Sequence, residues 1–80
     1  MQTVKVTDEL VKGCIGVILS DEKAYNKSLN YAVNYCKAAM SMTGHDLAVQ
    51  CLYILNNITH WRNPAAKSIK NVLRQFAKEN

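Results

Sequence analysis

Five cations, Arg62, Lys67, Lys70, Arg74 and Lys78, fall in a stretch from Leu47 to Lys78 that holds no acid at all. Read as a helix, Lys67, Lys70, Arg74 and Lys78 follow steps of three, four and four, which puts them within about 80° of arc at 100° per residue. A row of this kind can track the phosphates of a nucleic acid, and Asn71, set among the lysines, has the amide that pairs with an adenine edge. Arg62 stands at the base of the row. The same row is also what a plain solvated face shows when its cations suit the negative end of a helix. At the level of sequence both readings stand. A helix-turn-helix is not indicated, because the "SMTG" corner at residues 41–44 lacks that motif's spacing of small and apolar residues.

A second surface comes from the segment "HDLAVQCLYILNNITHW". Its outer side carries Val49, Gln50, Tyr53, Asn56, Asn57 and His60. Val49 and Tyr53 are one turn apart, and an apolar spot within an amide-rich patch suits a protein interface. The alternative is that another helix of the same chain covers it. Catalytic chemistry finds less support. His45 and His60 lie about 22 Å apart at 1.5 Å per residue and cannot share a metal within one chain. Cys14, Cys36 and Cys51 are spaced by 22 and 15 residues, which fits no zinc or redox pattern. All three fall on apolar faces, where a free cysteine packs as a small hydrophobe. No glycine-rich phosphate loop or paired carboxylates appear. The expectation is a protein that is not an enzyme and needs no cofactor or metal.

Charge and composition narrow the partners. The net charge of +4 is uneven: residues 1–46 hold five lysines and five acids, and the excess lies beyond them. That asymmetry favours an anionic partner. The apolar share of 49% is too high for a disordered chain. Three cysteines cannot all pair with one another, the start "MQTVKVTDEL" does not read as a signal peptide, and Val17–Leu19 is far too short an apolar run to span a membrane. The expected setting is reducing and cytoplasmic, with no membrane partner.

Four helix starts would position these surfaces. Thr7 precedes Asp8 and Glu9, and Ser20 precedes Asp21 and Glu22, each a polar cap before acids that suit a positive helix end. Thr43 with Asp46 resembles a capping box. Asn63 before Pro64 reads as an N-cap with proline at the first helical position. The spacing predicts helices over 8–19, 21–41, 44–61 and 64–78, an all-α bundle forming one domain over residues 1–80. Tyr25, Leu29, Ala32, Val33, Cys36 and Met40 give the second helix its apolar face; Ala65, Ile69, Val72, Leu73 and Phe76 do so for the fourth. In the third, the apolar positions Leu47, Ala48, Cys51, Leu52, Ile54, Leu55, Ile58 and Trp61 cover nearly half the circumference, so it is expected at the centre. The first segment is open between helix and strand over residues 10–19. "CIGVIL" is rich in β-branched residues, and Gly13 and Gly16 each cost a helix about 1 kcal/mol. Helix is preferred because Leu10, Cys14, Val17 and Ile18 share a face, with the glycines turned away where a neighbour could approach closely. "TVKV", residues 3–6, alternates like a strand but is too short to stand alone.

Over residues 30–73 the strings "NYAVNYCKAAMSMTG", "LYILNN" and "HWR" resemble a type of small uncharacterised helical protein of bacterial phages and prophages. These have a similar "NYA-NY-KA" segment, an "MTG" turn and a "WR" pair. Here Asn63 stands where glycine is often expected. The resemblance implies a mobile-element origin and a cytoplasmic host, and it brings no mechanism. Two functions compete: a binding module that associates with nucleic acid through the basic fourth helix, or a protein-interaction module, self-associating or capturing a host or phage protein through the third helix.

Overall fold

The computed structural model describes residues 6–80. Four α-helices lie among them: α1 (Asp8–Ser20), α2 (Ala32–Ala39), α3 (Gly44–Asn56) and α4 (Ala66–Glu79), with a short 3-10 turn at Glu22–Ala24 and no strand among the described residues. The chain is the small all-α bundle its periodicity predicts. Of "TVKV" only Val6 is described; residues 3–5 lie outside. Val6 is buried, and its N–H donates to Glu79 Oε1 at 3.3 Å.

The principal contacts run from α1 to α2, α2 to α3, α3 to α4 and α4 back to α1. The helices thus close a ring around one core. α3 sits between α2 and α4, and its packing against α4 is the most extensive in the bundle. Leu47, Cys51 and Ile54 of α3 are fully buried, as are Val11, Ile15 and Ile18 of α1, Leu29, Cys36 and Leu73, with Phe76 almost so. The buried arc of α3 is narrower than expected. Leu52 is half exposed and Leu55 only partly buried.

The helix question in the first segment is resolved in favour of helix, but its buried face is rotated. Val11, Ile15 and Ile18, at steps of four and three, face the core, while Leu10 and Val17 are 46% and 40% exposed. Nor do the glycines admit a close neighbour: a Cβ built on Gly13 or Gly16 meets nothing within 4 Å. Thr7 caps α1 as expected, its Oγ1 accepting from the Leu10 N–H at 3.2 Å.

The largest departure is the second segment. The expected 21–41 helix is a 3-10 turn and a run of turns, and α2 proper begins only at Ala32. Asn26, Ser28 and Asn30 interrupt the stretch, and their short polar side chains favour turns over helix interior. The apolar spacing survives because Leu29 is buried and its carbonyl accepts from the Val33 N–H at 3.2 Å. Ser20 ends α1 rather than capping a helix, and Met40, expected on the core face, is 43% exposed.

α3 stops at Asn56, not at residue 61. Two amides and two β-branched residues, "NNIT", are poor helix formers. Asn57 caps the end, its Nδ2 donating to the Tyr53 carbonyl at 2.8 Å. Ile58 and Trp61 still reach the core through the turn that follows. At its start, Thr43 makes no side-chain cap; the Gly44 N–H donates instead to Asp8 Oδ2 at 3.1 Å. Gly44 has φ of +54°, a left-handed conformation that glycine adopts without a Cβ clash. α4 begins at Ala66, two residues after Pro64, although Asn63 does order the turn: its Oδ1 accepts from the Ala65 N–H at 2.9 Å.

Candidate nucleic-acid interface

The corner between α3 and α4 is fixed by a contact that spans forty residues. Asp21 Oδ2, in the α1–α2 connection, accepts from Trp61 Nε1 at 2.7 Å and from Asn63 Nδ2 at 3.2 Å. The Trp61 hydrogen bond, and then that of Asn63, hold the Asp21 carboxyl below the usual carboxylate range. Trp61 is 2% exposed. The residues "HWRNP" are therefore first a structural corner, with the tryptophan and asparagine turned inward on an acid. Arg62 and His60 are left exposed beside them.

α4 leaves this corner with its two faces cleanly separated. Ala66, Ile69, Leu73 and Phe76 are buried. Lys67, Asn71, Arg74 and Lys78 are exposed on the opposite side, and Lys70 is half-buried. Lys70 lies back across the corner, its Nζ donating to the Thr59 carbonyl at 3.5 Å, and Arg74 Nη1 donates to Asn71 Oδ1 at 3.0 Å. Both acceptors are neutral, so neither contact cancels a positive charge. Asn71 differs from the expectation in one respect: its oxygen is already engaged. The acid that ends the chain's basic stretch, Glu79, is turned toward Gln75 and the Val6 amide.

The second expected surface is only partly present. Gln50 is 8% exposed, and its Nε2 donates to the Tyr35 carbonyl at 2.9 Å; it ties α3 to α2 and is no outward residue. Val49 and Asn57 are half-buried, and Asn57 is occupied by its own helix end. Tyr53, Asn56 and His60 remain exposed. What the sequence did not suggest is the partner of Tyr53. Its ring stacks on that of Tyr35, with centroids 5.8 Å apart and planes 21° from parallel. The sign in the sequence is the four-residue step from Tyr31, just ahead of α2, to Tyr35 on it, a spacing that puts two tyrosines on one outer side.

The groups with chemical potential elsewhere lie apart. His45 Nδ1 is 3.0 Å from the Asn80 carbonyl, at the far end of the bundle from the corner. A shallow cleft at that end is lined by Thr7, Asp8, Lys12, Thr43, Phe76 and Asn80. Burial pushes the Cys36 thiol up to about 12 and that of Cys51 to about 11, and it raises Cys14 as well. Cys36 and Cys51 are fully buried and all three are free. Thiols held in this way are poor nucleophiles at neutral pH, since the thiolate is the reactive form. No group of three or more metal-binding side chains occurs among the described residues, and none of the described helices is long and apolar enough to cross a membrane.

No family model matches the chain, and no curated protein or solved structure is significantly similar to it.

Proposed function

We propose that the protein is a non-enzymatic module that associates with nucleic acid through the outer face of α4. The observation that carries this reading is the row Lys67, Lys70, Arg74 and Lys78 on the side of α4 opposite its core. Arg62 extends the row at the corner, and Lys70 bridges back to that corner through Thr59. Five cations without an intervening acid make a continuous electrostatic track for phosphates. Such contacts position a backbone and read little sequence. The likeness of residues 30–73 to small phage and prophage proteins supports a place among the accessory proteins of a mobile element, acting in the cytoplasm of its host.

Reversal of Lys70 and Arg74 to glutamate tests the reading. Neither side chain belongs to the buried core, so helix content should hold. Binding to duplex DNA should weaken on every sequence alike, and the log–log salt slope should become shallower by about two. Unchanged binding in the double variant would reduce the row to a solvated face.

A second reading rests on the exposed apolar surface of α3. Leu52 and Tyr53 are 51% and 50% exposed, which favours a protein partner or a second copy of this chain. The loss of Gln50 and Asn57 from that surface makes it the smaller of the two candidates.

A further inference from the structure

The tyrosine face and the cationic row are carried by α2 and α4, the two helices that flank α3, with Tyr53 on α3 itself. α3 lies between α2 and α4, so its outer side joins them. Tyr35 on α2 stacks on Tyr53 on α3. One turn beyond Tyr53 is Asn56, exposed, and the chain then enters the corner where Thr59 receives Lys70. Tyr31, one turn before Tyr35, is 72% exposed. Tyr25 is spent on the fold, its hydroxyl donating to the Leu19 carbonyl, while Tyr35 and Tyr53 each give one ring face to their mutual stack and keep the rest exposed. The charge along this part of the chain is mostly of one sign: from Lys23 to Lys78 the sequence holds eight lysines and arginines against one acid, Asp46.

We infer that Tyr31, Tyr35 and Tyr53 form a base-stacking platform continuous with the cations of α4, so that the preferred ligand is single-stranded nucleic acid. Exposed aromatic rings beside a cationic track are what an unpaired strand requires. The phosphates follow the cations, and the bases, free of a duplex, lie on the rings. A duplex hides its base faces and engages the row alone. The amides of Asn56 and Asn34, exposed among these rings, are available to base edges without fixing a sequence. This inference rests on the proposed role of the α4 row and adds the type of strand.

The test compares three labelled probes of equal length at one low salt concentration: oligothymidylate, the same backbone made abasic, and a duplex. The expected result is that oligothymidylate binds about fivefold or more tighter than the abasic strand, since stacking of one base is worth at least about that factor. Changing Tyr31, Tyr35 and Tyr53 together to leucine should bring oligothymidylate down to the abasic level while circular dichroism stays unchanged. The Lys70 and Arg74 reversal should weaken both strands together. Equal binding of thymidylate and abasic strands by the wild type would overturn the stacking inference and leave the α4 reading intact. Binding of none of the probes would overturn both. A concentration-dependent mass without nucleic acid, abolished by Tyr53→Leu, would assign the face to a second copy of the chain and overturn the inference.

Discussion

Replacing Gly13 and Gly16 with alanine should stabilise this protein. Both lie in the interior of α1, where glycine costs about 0.8–1.0 kcal/mol relative to alanine because its unfolded backbone has more freedom to lose. The usual reason to keep a helical glycine is a neighbour too close for a Cβ, and none exists at either position: a Cβ meets nothing within 4 Å. Neither glycine has a positive φ. The two sites sit on the outer side of a helix whose core contacts run through Val11, Ile15 and Ile18, so the effects should add to about 1.6–2 kcal/mol. For a domain of this size that is roughly 6–16 °C in melting temperature. The assay is a thermal melt by circular dichroism at 222 nm, with a urea titration alongside. An unchanged or lowered midpoint in the double variant would refute the reasoning. It would mean that this face of α1 is covered in solution or that the segment is not the regular helix described.

Asp21 gives an acid-limb prediction. Its native pKa lies below the unfolded value of about 3.9, so its contribution is present above that pH and is lost as pH falls through the native value. Trp61 is the chain's single tryptophan, and its fluorescence should report release of the latch; in Asp21→Ala the stability curve should flatten in that window, and a curve parallel to the wild type would remove Asp21 from the account. The thiols give an alkaline one. Native pKa values of about 12 for Cys36 and about 11 for Cys51 lie above those of the unfolded chain, so stability is full below about pH 8.5 and falls as pH rises toward the native values. At neutral pH a thiol reagent should modify Cys36 and Cys51 only as fast as the protein unfolds, and rapid modification of the native state would contradict their packing.

The fold was legible where local pattern and tertiary demand agree. Thr7 caps α1, and the apolar positions Ile69, Leu73 and Phe76 of α4 are all buried, because a single amphipathic helix against a core obeys its own period. Agreement failed at residues 21–31, where the apolar spacing from Tyr25 to Val33 continued through residues that prefer turns. Periodicity records which side chains face inward and is blind to whether the backbone between them is helical. The rotated face of α1 has a related cause: Leu10, Cys14, Val17 and Ile18 are as good a stripe as Val11, Ile15 and Ile18, and only the neighbours decide. Of the candidate site, the cationic row was readable from sequence because it needs only the helix it sits on. Gln50 was misplaced because its partner is a backbone carbonyl on another helix. The Asp21–Trp61 bond and the Tyr35–Tyr53 stack join residues 40 and 18 positions apart in the chain, and no local spacing encodes either.

The central claim is that the outer face of α4 is a track for phosphates. The most direct measurement is the affinity of the wild-type protein for a short duplex DNA, read by fluorescence anisotropy across a series of salt concentrations. Five phosphate contacts, one for each of Arg62, Lys67, Lys70, Arg74 and Lys78, predict a log–log slope of about −4 to −5. A slope near zero, or no binding at the lowest salt, would contradict it.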